Sequence, residues 1–228
     1  MTLNKKNQVQ RIFDSISGRY DFLNHFLSAG IDIYWRRKAL RLTKIGSESK
    51  LLDLACGTGD FALEAKKFGV KEIIGADLSF NMLKVFHQKS EWSKGRIVQT
   101  IAEILPFKSN SFTNITVAFG VRNFFDIQSA FIEFNRVLSD KGKVTVLEFR
   151  LPENGIIKSL YLFYFHKILP AIGRLISKDN EAYTYLPESV NDFDKNINLV
   201  DLFKKASFTK VEKYSLTFGV CQVTIAYK

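Results

Sequence analysis

Cysteine is scarce in this chain, with only Cys56 and Cys221 among 228 residues. Neither their number nor their spacing makes a disulfide framework, so the fold must rest on its core, as in a reducing compartment. Cys56, inside a glycine turn, reads as a small filler. Four prolines argue against long linkers. No apolar run reaches the roughly twenty residues of a membrane span, and the N-terminus carries no charged-then-apolar signal segment. A cytoplasmic protein is the expectation. Acidic residues are outnumbered, 23 against 33 Lys and Arg, giving a formal charge of +10. That balance favours anionic surfaces, nucleic acid or phospholipid headgroups, without choosing between them. Repeats and low-complexity tracts are missing too, and no metal-ligating set is assigned.

What is plentiful is apolar. A 46% apolar fraction excludes wholesale disorder, and the length suits one substantial core with an added subdomain. Twenty-one phenylalanines favour a large apolar pocket or an interfacial surface.

The most informative stretch is Lys50 to Asp60, KLLDLACGTGD, with its companion Lys71 to Asp77, KEIIGAD. The first reads as an apolar strand that breaks into a glycine turn and then a helix; the second reads as the next parallel strand, ending in a carboxylate. Gly57 and Gly59 lack a side chain that would hold a ligand off the backbone, and helix-start amides can meet a polar or anionic group. Asp77 lies where a carboxylate at a strand's carboxyl end can accept both hydroxyls of a ribose. Asp53 sits inside the strand, where a charge is costly unless it orients the loop or faces a cationic ligand. A plain tight turn would also explain the glycines, and Gly57, Gly59 and Ala62 satisfy a G-x-G-x-x-A dinucleotide pattern. Against that pattern, Asp53 replaces the apolar residue expected before the turn. A sulfonium-bearing nucleoside, S-adenosylmethionine, suits these carboxylates better than a pyrophosphate does.

Upstream, Asn4 to Ser17, Tyr20 to Leu27 and Ile31 to Leu42 read as helices that form an N-terminal lid over 1–45, with Tyr20, Asp21 and Asn24 as candidates to cover a ligand. Asp32 is a candidate cap for the third of these helices. Its Arg36, Arg37, Lys38 and Arg41 suit a solvated face or an anionic membrane. Downstream, helices over Asp60 to Phe68 and Asn81 to Gln88 alternate with strands over Ile73 to Ala76, Ile97 to Gln99, Ser111 to Phe119 and Lys143 to Phe149. Such alternation demands a mostly parallel sheet covered on both faces. Arg122 and Asn123 follow strand four, at the ligand side of such sheets; a salt bridge for Arg122 and a helix cap for Asn123 compete with substrate roles. Glu148 could serve chemistry or pair with an arginine. An insertion over about 154–195 opens with an interrupted apolar stretch, Ile156 to Ile176, suited to a greasy tunnel, a dimer contact or a bilayer surface. Thr209 to Leu216 and Val220 to Tyr227 read as a final hairpin at the sheet edge.

Several segments together resemble the quinone-ring C-methyltransferases of menaquinone and ubiquinone biosynthesis, the demethylmenaquinone methyltransferase family. They are YDFLNHFLSAGIDIYWRR from Tyr20, LDLACGTGD from Leu52, AEILPFKSNSF from Ala102, AFGVRNFFD from Ala118, RVLSDKGKVTVLEF from Arg136 and YTYLPESVNDF from Tyr183. The resemblance implies a single class I S-adenosylmethionine-dependent methyltransferase domain over 1–228: a Rossmann-like α/β fold, its seven-stranded sheet flanked by helices on both faces. It also implies methylation of a polyprenyl quinol. Residue by residue, it places Gly57, Thr58 and Gly59 at the methionine end of the cofactor and Asp77 on the ribose, and Asp53 is counted with these cofactor-binding residues. Ile101 and Ala102 fall along the adenine, with Ala118 at the end of strand four. Arg122 and Asn123 are implied to orient the acceptor, with Tyr20 and Asp21 nearby. Family members commonly carry an acidic or amide residue where Ile101 stands and often a histidine where Asp32 stands. FGVCQVTIAYK at the end departs from the family's glycine-rich, histidine-containing version.

A nucleic-acid methyltransferase is the rival enzyme, encouraged by the charge. It lacks an N-P-P-Y-like motif after strand four and a cysteine nucleophile at the active loop, so no nucleic acid is expected as partner. A nonenzymatic scaffold of the quinone pathway is the second rival. Peripheral contact with an anionic membrane, placing the protein at its inner face, and a homodimer complete the expectations.

Overall fold

The computed structural model describes residues 2–21, 25, 28–168 and 181–228, without the side chains of 2–7, 19 and 181–184. Asn24 and residues 169–176 of the apolar stretch therefore lie outside the described residues. Helices α1 (Thr2–Ile16) and α2 (Ile31–Thr43) lead into strand β1 (Lys50–Leu54). There follow α3 (Asp60–Lys67), β2 (Glu72–Asp77), α4 (Phe80–Lys89), β3 (Ile97–Gln99) and β4 (Phe112–Ala118). Then come α5 (Ile127–Val137), β5 (Leu138–Phe149), α6 (Gly155–Phe163) and α7 (Glu181–Asn196). The chain closes with α8 (Leu199–Lys205), β6 (Lys210–Leu216) and β7 (Cys221–Tyr227).

One seven-stranded sheet runs in the order β3-β2-β1-β4-β5-β7-β6. The first five strands are parallel, and β7 pairs antiparallel with both β5 and β6. The order reverses between β1 and β4, and the carboxyl ends on either side of such a reversal open a crevice for ligands. Strand β1 shows how both faces are filled. Leu52 and Leu54 join the core layer that contains Phe131, Phe134 and Phe203, whereas Leu51 joins the layer with Leu40, Phe61 and Phe86. This is the period of two of a strand buried on both sides. On the first face the Phe131 and Phe203 rings stack with centroids 3.9 Å apart, which locks α5 to α8.

Phenylalanine mostly builds this core. Among the described residues eleven phenylalanines are buried, so their abundance reflects packing more than an open apolar pocket. The last hairpin forms as expected, with β7 tucked inside β6. Strand five is longer than the sequence suggested: it begins at Leu138 because that residue already pairs with Phe112.

The N-terminal region departs from expectation in its charges. Gly30, at φ 76°, occupies the cap of α2, and Asp32 falls in the first turn. Its carboxylate accepts hydrogen bonds from Ser28 Oγ at 2.6 Å and from Arg36, and lies 2.9 Å from His25 Nδ1. Burial pushes the Asp32 carboxyl up, but the Ser28 hydrogen bond and the Arg36 charge outweigh it and hold its pKa low. Arg36 is thus buried against Asp32 rather than solvated, while the exposed Arg37 reaches Glu64 at 2.8 Å. Only part of the basic run is left to face a partner.

Candidate active site

A cleft of about 700 Å³, its open mouth included, lies over the ends of β1, β2 and β4. Ala55 and Gly57 come from the β1 turn, Asp77 to Ser79 from the end of β2, Thr100 to Glu103 from beyond β3, and Ala118 to Gly120 from the end of β4. Asn123, Phe124 and Phe125 form a further wall, and Val9, Gln10 and Phe13 of α1 close the cleft with Tyr20. The size and the largely apolar lining with a few polar groups suit a small-molecule site.

The glycine turn is held from inside. Asp53, 1% exposed, accepts from the Ala62 amide at 3.0 Å and from the Thr116 hydroxyl at 2.8 Å. It therefore anchors the start of α3 and does not line the cleft, which is the loop-orienting role the sequence offered. Burial pushes its pKa up to about 7, opposed by those two hydrogen bonds. Gly59 has φ 86°, and a Cβ there would lie 2.1 Å from the Phe86 ring. Its missing side chain serves packing against α4, not ligand approach. Gly57 is the open one: a Cβ there would meet nothing nearer than Tyr20, at 4.0 Å. The amides of Gly57 and Gly59 are spent within the protein, on Asp77 Oδ2 and on the Cys56 carbonyl, each at 2.8 Å. Burial raises the Cys56 thiol well above its ordinary range, in keeping with a filler.

Asp77 accepts the Gly57 and Ser79 amides, one on each oxygen, both at 2.8 Å. Burial pushes its carboxyl up, against those amides. Two amides use one lone pair on each oxygen, which leaves acceptor capacity for two hydroxyls from the cleft. Thr58 does not line the cleft; its hydroxyl donates to Asp21. Asp21 is also 2.7 Å from Lys89 Nζ, which reaches Asp60 at 2.6 Å. This network pins the lid segment to the starts of α3 and the end of α4, while the Tyr20 ring sits over Gly57.

Arg122 and Asn123 part company. Asn123 lines the cleft, and its Oδ1 accepts from the Tyr185 hydroxyl at 2.7 Å. Asp126, not Asn123, caps α5 by accepting from the Ser129 amide. Arg122 points away: it pairs with Glu148 at 2.7 Å, with both side chains buried, and donates to the Phe119 carbonyl. Glu148 is thus paired with an arginine from the turn after β4, and burial raises its carboxyl even so. Sequence reasoning missed the contributions of α1, Tyr185 and Glu103. The last two lay inside motifs already noticed, but nothing in spacing alone aims a side chain into a cavity.

These features fit S-adenosylmethionine. Asp77 offers the ribose a buried acceptor, and Leu78, Met82, Ile101, Ala102 and Phe124 form an apolar slot that suits a purine. At the other end, Gly120 packs so closely on Ala55 that a Cβ would fall 2.5 Å from its methyl, which keeps the floor open between β1 and β4.

Comparison with known proteins agrees. The demethylmenaquinone methyltransferase of Chlorobaculum tepidum is 38% identical over 227 residues, covering 98% of this chain and 93% of that protein. The ubiquinone/menaquinone biosynthesis C-methyltransferase UbiE of Geotalea daltonii is 42% identical over 225 residues, covering 96% and 95%. Among solved structures, a SAM-dependent methyltransferase and possible histamine N-methyltransferase from Thermotoga maritima aligns with a TM-score of 0.62 at 19% identity, covering 96% of this chain and 99% of that one. The [4+2]-cyclase SpnF aligns at 0.64 with 15% identity, covering 98% and 96%. Those two share the class I methyltransferase fold alone, and a fold of this breadth does not choose a reaction. The model of the ubiE/COQ5 methyltransferase family matches residues 1–228, and with relatives of such identity along its length, this S-adenosylmethionine-dependent chain belongs to that family.

Proposed function

We propose that the protein transfers a methyl group from S-adenosylmethionine to a ring carbon of demethylmenaquinol, giving menaquinol. The observation that carries this reading is a continuous cleft from Asp77 and Ile101 to Phe119, Gly120 and Asn123, which a nucleoside and a planar acceptor can share. When bound, the cofactor supplies a sulfonium-activated methyl group. Asp77 holds the ribose, and the Ile101–Ala102 segment packs along the base. With its Oδ1 held by Tyr185, Asn123 has its amide NH2 to offer a ring oxygen. Arg122 acts at one remove: tied to Phe119 and Glu148, it fixes the turn that presents Asn123. Tyr20 closes the cleft over Gly57, and Asp21, through Thr58 and Lys89, keeps that closure in place. Holding the two reactants in line supplies much of the rate in such a transfer.

The acceptor must be reduced. Loss of a phenolic proton places negative charge on adjacent ring carbons, whereas an oxidised quinone is itself electron-poor. Labelled S-adenosylmethionine incubated with demethylmenaquinol, demethylmenaquinone and a benzoquinol precursor tests this. Label is expected only in the reduced naphthoquinol; label in both quinols establishes dual specificity, for which the Geotalea relative's printed name is the support. Cofactor binding without label in either quinol overturns the substrate.

The lipid-borne substrate gives α6 a role. Ile156, Leu160 and Phe163, 76%, 66% and 60% exposed, fall at i, i+4 and i+7 on one face. No helix of the described residues is long and apolar enough to cross a membrane, so this face, with the net positive charge, suits peripheral contact with an anionic bilayer. Failure to sediment with anionic liposomes at low salt overturns that contact.

A further inference from the structure

Phe218, at the tip between β6 and β7, is 80% exposed, more than any other large apolar side chain among the described residues. Three successive residues there have positive φ: Thr217 at 48°, Phe218 at 55° and Gly219 at 93°. Glycine takes such angles freely, whereas a β-branched or aromatic residue takes them at a cost. The tip falls in the segment where this chain departs from the glycine-rich version of its family. Its shape is imposed from both sides. Trp35 Nε1 of α2 donates to the Thr217 hydroxyl at 2.7 Å, the Val220 amide closes the turn on the Thr217 carbonyl at 3.1 Å, and the Val220 carbonyl accepts the Arg150 amide at 3.0 Å. The tip is therefore a fixed post. Its ring is left out of all three apolar clusters of the interior, so a strained backbone holds an aromatic side chain out in water, which points to a partner outside the chain.

Place and charge select that partner. Cys221 pairs with Phe149 at the carboxyl end of β5, which runs parallel to β4, so the tip stands at the edge of the sheet over which the cleft opens. A Cβ on Gly219 would lie 3.4 Å from Pro152 Cα, and α6, with its exposed Ile156, begins at Gly155. Phe218 and the apolar face of α6 thus rise from the same corner of the molecule. Acid is scarce around them: Glu153 is the only acidic residue from Leu151 to Ile168, against Lys158 and Lys167, and none stands between Lys213 and Lys228. A second copy of this chain, also at +10, would bring like charge to like. An anionic bilayer accepts both the ring and the charge.

We propose that Phe218 is a wedge that enters the headgroup–acyl boundary of an anionic bilayer beside α6, a second point of contact that fixes the cleft mouth relative to the lipid surface. One helix lying on a surface leaves the molecule free to rock about its axis; a second point off that axis removes the freedom. This inference rests on the bilayer contact proposed above and adds the residue that orients it.

Cosedimentation with vesicles of phosphatidylglycerol and phosphatidylcholine, and tryptophan quenching by lipids brominated along the acyl chain, test it without relying on turnover. Phe218→Trp is expected to sediment as the wild type does and to show quenching beyond that of the wild type, whose Trp35 is buried and whose Trp92 packs on Phe86. Phe218→Gly is expected to bind the same vesicles roughly tenfold more weakly, while its unfolding midpoint does not fall, because glycine suits the left-handed angle. No added quenching in Phe218→Trp on vesicles that the protein binds, or unchanged binding by Phe218→Gly, overturns the inference while leaving the contact through α6. A lowered midpoint in Phe218→Gly gives the ring a structural role and also overturns it, as does a dimer in lipid-free light scattering that Phe218→Gly abolishes. Failure of the wild type to sediment overturns the bilayer reading itself.

Discussion

The turn after β1 and the helix after β5 both follow the carboxyl ends of parallel strands, yet they are built on opposite terms. In and beside the turn, Asp53 of β1, Asp77 of β2 and Gly59 are committed to amides, a hydroxyl or an aromatic ring within the protein. On α6, one face packs through Tyr161 while the other turns Ile156, Leu160 and Phe163 to solvent. The difference teaches where change is tolerated: the first region is fixed by close contacts and internal polar pairing, the second leaves its apolar face free for something outside the chain.

The comparison breaks most readily at Gly59. In Gly59→Ala the added methyl collides with Phe86 at a backbone angle that favours glycine, and a loss of about 3 kcal/mol or more is expected in denaturant unfolding. Gly57→Ala, with open space around it, is expected to lose only about 1 kcal/mol. Next comes Asp77→Asn, which exchanges a charged acceptor for a neutral amide that cannot accept on both sides. Affinity for S-adenosylhomocysteine is expected to fall by about 2 kcal/mol, or roughly thirtyfold, in calorimetry. Asp53 sharpens the contrast through pH. Its folded pKa, about 7, is raised above that of the unfolded chain, so the unfolded state gives up its proton first as pH rises. Its contribution to stability is therefore lost progressively between about pH 4 and pH 7 and is level above that, with a slope of at most about 1.4 kcal/mol per pH unit. In Asp53→Asn that part of the slope is expected to vanish from unfolding curves measured across the window. The smallest effect belongs to α6: replacing Ile156, Leu160 and Phe163 by serine is expected to change stability by less than about 0.5 kcal/mol per site while abolishing liposome sedimentation.

The same contrast explains what the sequence disclosed. Strand and helix alternation, the glycine turn and Asp77 are local signals with a fixed period or spacing, so the sheet and the crevice beside Asp77 were legible before any coordinates. The division of labour within KLLDLACGTGD was not. Gly57 and Gly59 look alike as letters, but only the distance to Phe86, twenty-seven positions on, tells the packing glycine from the open one. Arg122 and Asn123 are adjacent, yet a single turn sends one to Glu148 and the other into the cleft. Asp32 has the composition of a cap, and its role was decided by Arg36, Ser28 and His25 converging on it. Tyr185 reaches Asn123 from a helix far along the chain, and such long-range meetings leave no trace in periodicity.

Strand β7 fills the place beside β5, which ends at Phe149, although β7 itself begins only at Cys221. During synthesis the parallel part of the sheet can assemble while one flank of β5 still shows a row of unpaired amides and carbonyls. That flank is a template for other nascent chains until the closing hairpin arrives. Closing the sheet needs an antiparallel insertion of high contact order, and a chain cut short after α8 is expected to keep every residue that lines its cleft while leaving an adhesive border exposed.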